Sequence, residues 1–142
     1  MARFKFLPHM SDVFIEAYGS TLEEAFENAA LAMFEVMTDT SKVEPSMEES
    51  VEADGFDEQS LLYNWLEKLL VLFETRMMLC SKFKVEKIEC EGEEYRLKAK
   101  VWGEEFDPGK HEQRVGVKAV TYHMMSIEEK DGRWVLRFIL DI

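Results

Sequence analysis

The N-terminal residues alternate between bulk and polarity. Arg3 to Leu7 alternates charge with bulk, and Val13, Ile15 and Ala17 alternate with Phe14, Glu16 and Tyr18. A period of two sends successive side chains to opposite faces, so both segments read as strands. Pro8-His9-Met10-Ser11-Asp12 interrupts the pattern and reads as a turn. The period then becomes helical, with Leu22, Phe26, Ala29, Ala30, Met33 and Met37 on one face. Ser20 and Glu23 have the spacing of a capping box, in which each side chain accepts the other's backbone amide. Thr38-Asp39-Thr40-Ser41 favour turns over helix interiors, so the helix is expected to end near Thr38. A short strand is expected around Ser50 to Ala53. A second helix follows from about Glu58 to Leu79, with Leu61, Leu62, Trp65, Leu66, Leu69, Leu70, Phe73 and Met77 as a broad apolar face.

The second half reads as β. Phe83 and Val85 change phase to Ile88 and Cys90, which predicts a bulge. Tyr95, Leu97, Ala99 and Val101 alternate with Arg96, Lys98, Lys100 and Trp102, giving a half-buried strand with a basic outer face. Val115, Val117, Ala119 and Thr121 alternate with Gly116, Lys118, Val120 and Tyr122. A last strand, Trp134 to Leu140, follows an Asp131-Gly132 hairpin turn. The expected order is β-β-α-β-α-β-β-β-β. Two main helices on a mostly antiparallel or mixed sheet make an α+β fold, a single compact domain over residues 1–142.

Composition narrows the function. The 142 residues are 46% hydrophobic, which excludes a disordered chain. There are 29 acidic and 17 basic residues, a net charge of −12, which argues against a stand-alone nucleic-acid binder or a stable membrane anchor. Glu44, Glu48, Glu49, Glu52, Asp54, Asp57 and Glu58 have no Lys or Arg among them. They read as solvated surface, with a docking face for a basic partner as the alternative. The apolar run Leu69 to Phe73 lies between Lys68 and Glu74, far short of the roughly 20 residues of a membrane span. The N-terminus carries no signal-peptide core. Cys80 and Cys90 are too few for a disulfide framework and do not form CxxC, so a reducing cytoplasm and two buried or half-buried thiols are expected. Two Asn and two Gln beside many Glu and Lys is a balance found in thermophilic proteins.

No phosphate-binding glycine loop, HExxH or GxSxG motif is present, and His9, His111 and His123 are scattered. Covalent catalysis therefore has no motif to rest on. The two ends of the chain are more informative. The final strand runs straight into Asp141-Ile142. An ionised α-carboxylate beside Asp141 sets two negative groups together, and these repel unless a cation lies between them. Oxygen ligands suit hard cations such as Ca²⁺ or Mg²⁺ better than Zn²⁺. Asp12 lies in the break between two apolar strands and reads either as a turn residue or as a further ligand. The twelve residues Gly103 to Arg114 are long for a hairpin connection, which marks them as a candidate functional loop. Lys118, among Val117, Ala119 and Val120, either snorkels outward or presents a cation to a phosphate or carboxylate.

These residues also carry a resemblance. His9-Met10-Ser11-Asp12, Ser20 to Phe26, Ala32-Met33-Phe34, Met37-Thr38-Asp39, Trp102-Gly103-Glu104-Glu105, Val117 to His123 and the closing Asp141-Ile142 occur in the order found in the archease family. The chain resembles that family nearly end to end. The family's usual opening is closer to His-Thr-Ala-Asp; here the Asp stays and the two middle residues differ. The resemblance implies an accessory protein of RtcB-type tRNA-splicing RNA ligases. Such a protein promotes guanylylation of the ligase's active-site histidine and broadens its nucleotide use, and it is not itself an enzyme. GTP and RNA would then be reached only through the ligase. The resemblance also implies a divalent cation, Ca²⁺ in the first place, with Mg²⁺ or Mn²⁺ as alternatives. Its ligands would be Asp12, Asp141 and the main-chain carboxyl of Ile142. Lys118, His9 and Glu104 become the candidates for contact with the partner. A general chaperone and a stand-alone metal-dependent phosphohydrolase are the competing readings.

Overall fold

The structure, a computed structural model, describes residues 2–8 and 11–142. His9 and Met10, in the predicted turn, lie outside the described residues. Among those described, the order is β1 (Phe4–Leu7), β2 (Val13–Gly19), α1 (Leu22–Met37), a 3-10 turn (Thr40–Lys42), β3 (Met47–Gly55), α2 (Glu58–Arg76), β4 (Met78–Glu91), β5 (Glu94–Glu105), β6 (Ala119–Val120), β7 (Ser126–Lys130) and β8 (Arg133–Asp141). They form two antiparallel sheets. The larger has five strands in the order β1-β2-β8-β6, with β7 also paired to β8, and the smaller is β3-β5-β4.

The helices lie between the sheets. Helix α1 packs on β2 and β8 of one sheet and on β4 of the other, and α2 packs on β3 and β5 as well as on β6 and β7. A helix covered from two sides must be apolar over most of its circumference. Helix α1 meets this with Ala25, Phe26, Ala29, Ala30, Ala32, Met33, Phe34, Val36 and Met37 all buried. Its alanines let neighbouring layers approach, and Phe26 and Phe34 fill the space between. Trp65 of α2 is fully buried, and its Nε1–H donates to the Phe26 carbonyl at 3.0 Å, joining the helices through one polar contact. One hydrophobic cluster runs through both sheets and both helices, a single compact α+β domain.

Several expectations shift in detail. The cap of α1 falls one residue later than the Ser20/Glu23 reading. Thr21 accepts from the Glu24 amide, while the Glu24 carboxylate accepts from the Ser20 amide at 2.8 Å. Helix α2 stops at Arg76 rather than Leu79, because Met77 takes a left-handed conformation (φ 54°) and starts the chain into β4. The expected bulge is present between Val85 and Lys87, and a second register shift lies between Cys80 and Lys82. The segment 115–122 pairs as a strand only at Ala119–Val120. Strand β7, unannounced by the sequence pattern, completes the Asp131-Gly132 hairpin, where both turn residues have positive φ. Cys80 is buried, and burial pushes its thiol up to about 12, but Cys90 is exposed, not half-buried as expected.

Candidate functional site

Strands β2 and β8 join the N-terminal and C-terminal ends of the domain. Their register pairs Val13 with Leu140, Phe14 with Ile139, Ile15 with Phe138 and Glu16 with Arg137. Ile15, Phe138, Ala17 and Leu136 turn towards the helices and are buried. The alternate residues lie on the outer face. The ladder ends at Val13 and Leu140; Asp12 precedes it on the β2 side and Asp141 follows it on the β8 side, where Asp141 pairs with Ala119 of β6.

The row shows how the sheet treats its charges. Glu16 is only 6% exposed. It accepts from the Tyr18 hydroxyl at 2.5 Å and from Arg137 Nε at 2.6 Å, with Lys5 Nζ at 3.6 Å. Burial pushes the Glu16 carboxyl up, but Tyr18, Arg137 and Lys5 outweigh it and the net shift is downward. Burial and the adjacent carboxylate together drive Tyr18 up to about 12. An acid in this row is thus matched by an opposing cation. Beyond the row's end stand Asp12, just before β2, and Asp141, the last residue of β8. Carboxylates brought close together are unfavourable for each other, and a bound cation reverses that sign.

Asp12 is half-buried, Asp141 exposed and Ile142 half-buried, with Ile142 packed against the core. The Lys118 amide donates to the Asp141 carbonyl at 2.7 Å, which brings Lys118 to the same end of β8. Its side chain is exposed. The structure therefore brings Asp141, Ile142 and Lys118 to one end of β8, and Asp12 immediately precedes Val13, which pairs with Leu140 of that strand. The available donors are carboxylate and main-chain oxygens, which fit a hard divalent cation. Among the described residues no group of three or more His, Cys, Asp and Glu side chains could hold a metal, so a site here needs the main chain of Ile142 as well. His9 falls outside the described residues.

Glu104 lies elsewhere, in the smaller sheet. Lys110 Nζ stands 2.8 Å from Glu104 Oε2, the Glu44 amide donates to that oxygen at 2.8 Å, and His111 Nε2 lies 2.9 Å from it. His111 Nδ1 accepts from the Asp107 amide at 2.9 Å, so Nε2 carries the proton and donates to Glu104. Burial raises the Glu104 carboxyl, yet Lys110, the Glu44 amide and His111 together hold it down at about 2. This network pins the 106–111 turn to β5. Sequence reasoning did not single out Glu16, Tyr18 and Arg137. The available signal was a Glu in the middle of an otherwise apolar strand.

The family model of the archease protein family matches residues 4–142. A curated archease of Sulfurisphaera tokodaii is 53% identical over 142 residues, covering all of both chains. One from Pyrococcus abyssi is 46% identical over 143 residues, again covering all of both. The solution structure of protein 1598 of Methanobacterium thermoautotrophicum superimposes with a TM-score of 0.88 at 50% identity over the whole of each chain. A crystal structure from Thermotoga maritima, described as an archease and possible chaperone, shares the fold at a TM-score of 0.59 and 18% identity, over 97% of this chain and 96% of that one. With full-length identity near 50% and the same layered fold, the chain belongs to the archease family.

Proposed function

We propose that this protein activates an RtcB-type RNA ligase, promoting guanylylation of the ligase's active-site histidine, and that it does so from the Asp12/Asp141 end of the larger sheet. Family membership over the whole chain supports the reading. The observation that supports it is the β2–β8 ladder, which ends at Val13 and Leu140 and so leaves Asp12 and Asp141 flanking the same end, with the Lys118 amide bonded to the Asp141 carbonyl. Asp12, Asp141 and the main-chain oxygen of Ile142 would hold a divalent cation, which supplies positive charge next to a phosphate. Nucleotidyl transfer to a histidine is governed by charge neutralisation and alignment of the phosphates. The exposed Lys118 ammonium extends from the same strand end and adds a second positive group there. The core packing of Ile142 and the β2–β8 ladder next to Asp12 support this reading, because a site acts best when its ligands are held before a partner arrives.

The decisive experiment incubates the ligase with GTP and Mn²⁺, with and without substoichiometric amounts of this protein, and follows labelled guanylate on the ligase. The expected result is faster guanylylation with multiple turnover, lost in Asp12→Ala and in Lys118→Ala. No acceleration by the unmodified protein overturns the proposal. The isolated chain gives a separate check. Calorimetric titration with Ca²⁺ should show saturable binding that Asp12→Ala or Asp141→Ala removes.

A general chaperone would present a contiguous apolar patch. The large exposed apolar side chains here are distributed instead: Phe6 on β1, Met47 on β3, Phe56 before α2, Val71 on α2 and Met77 just after it, Val115, and Tyr122 with Met124. That distribution favours the ligase reading. Suppression of aggregation of unrelated proteins, unaffected by Asp12→Ala, would favour the chaperone.

A further inference from the structure

The net charge of −12 hides an uneven distribution. On the smaller sheet, Leu97, Ala99, Val101 and Val85 turn inward and are buried. Their neighbours along β5 and β4 face away from the helix layer. The register of that outer face sets Trp102 opposite Lys82, Lys100 opposite Lys84, Lys98 opposite Lys87 and Arg96 opposite Glu89. Strand β3 contributes Glu48, Ser50, Glu52 and Asp54 to the same four rows. The face therefore runs from acidic on β3 to basic on β5 and β4.

Two cross-strand pairs are lysine against lysine. Such pairs are unfavourable, because their Cβ atoms lie only ~5 Å apart. Carboxylates relieve part of this: Lys98 lies 3.8 Å from Glu52, and Lys87 lies 3.1 Å from Glu89. Lys82, Lys84 and Lys100 have no carboxylate within 4.0 Å among the described residues. Lys82 lies over the Trp102 ring at 4.6 Å. Three ammonium groups thus form a contiguous corner without an ion-paired carboxylate, bordered by the Trp102 indole, whose Nε1–H donates to Glu48 at 3.1 Å.

We propose that the β4–β5 half of this face binds the phosphodiester backbone of single-stranded RNA. The residue types favour phosphate over a carboxylate-bearing peptide. Five of the six cations are Lys, which binds phosphate as a point charge, whereas carboxylates are best held by the bidentate fork of Arg. Trp102 closes the row with an aromatic surface of the kind bases stack on. The acidic row on β3 confines a polyanion to the other half. The composition argument against nucleic acid concerns the molecule's average field. With a Debye length of ~8 Å at physiological ionic strength, that field weakens binding without cancelling a local contact. The affinity is therefore modest and strongly salt-dependent. The inference does not rest on the ligase reading, and its test contains no ligase.

The experiment is fluorescence anisotropy of a fluorescein-labelled, mixed-sequence, single-stranded RNA 20-mer titrated with the full chain at several KCl concentrations. The expected result is saturable binding whose logarithmic salt slope is about −2, from three contacts at ~0.7 each. Lys84→Glu/Lys100→Glu should bind at least about tenfold more weakly, and Lys130→Glu, in the other sheet, should bind as the unmodified chain does. Thermal melting checks the double variant; should it unfold, the neutral pair Lys84→Gln/Lys100→Gln takes its place with a smaller loss expected. No binding by the unmodified chain, or undiminished binding by the lysine variants, overturns the proposal. Displacement of the RNA by polyglutamate as readily as by unlabelled RNA also overturns it and assigns the face to acidic protein segments.

Discussion

Single residues divide here into those that bear packing and those that bear charge. Gly103 bears packing. A Cβ built on it would lie 1.7 Å from the Leu79 carbonyl oxygen, closer than any real contact, and that oxygen is backbone. Gly103→Ala should therefore force β4 and β5 apart and destabilise by several kcal/mol, read as a lower urea midpoint; a loss under ~1 kcal/mol would show that the strands can yield. Glu104 bears charge. Its carboxyl stands at about 2 in the folded chain against an ordinary value of 4.5. A folded value below the unfolded one adds stability that is complete above pH ~4.5 and is lost as pH falls towards ~2. Glu104→Gln should remove about 1–3 kcal/mol at neutral pH and flatten the acid limb of stability over that window. An unchanged acid limb in the variant would place the acid sensitivity in other carboxylates. Asp12 and Asp141 were legible as odd acids at breaks in the strand pattern. Their places at the same end of the β2–β8 ladder were not, because these depend on a register between distant parts of the chain.

Among the elements, the segment after the His111 turn shows best why sequence periodicity ran out. Val115 to Tyr122 alternates cleanly, as a strand does, yet only Ala119–Val120 joins a ladder. The amides before it have other partners. Arg114 and Val115 donate to the carbonyls of Met37 and Val36 at 3.0 and 3.2 Å, and Arg114 Nη1 reaches the Glu35 carbonyl and carboxylate at 2.9 and 3.1 Å. These are C-terminal carbonyls of α1, which no residue within the helix can satisfy. A distant segment therefore serves as the helix's C-terminal cap, and no local pattern reports that. Arg114→Ala should cost about 1–2 kcal/mol and speed hydrogen exchange at Val115 more than at Leu97 in the smaller sheet. Equal changes at both amides would show the cap to be no local device. Where local rules acted alone the reading was sound. The Asp131-Gly132 turn, the bulge after Val85 and the end of α1 at Met37 all lie where composition placed them. The basic face of β5 was legible too, but Lys87 of β4 joins it only because of that bulge.

For the molecule as a whole, the shared helix layer makes the two sheets depend on one another. Strand β8 pairs with β2, β6 and β7, so it organises the larger sheet, and α1 packs on that sheet and on β4 alike. Phe138, at the centre of β8, is fully buried opposite Ile15. Truncating a buried Phe to Ala removes about 3–5 kcal/mol, which raises the population of the open state by roughly a hundredfold or more. Were the sheets independent units, Phe138→Ala would loosen only the larger one. With one continuous core the loss belongs to the whole fold. Amide exchange at Ile15 in β2 and at Val101, central in β5 on the far side of the helices, should then accelerate by the same factor. Acceleration at Ile15 with Val101 unchanged would separate the sheets energetically and refute the single core. The outcome matters for both proposed surfaces. The Asp12/Asp141 end belongs to one sheet and the lysine face to the other. A single cooperative core holds the two in fixed relation, so a partner at one and an RNA strand at the other would meet a rigid body and not two hinged halves.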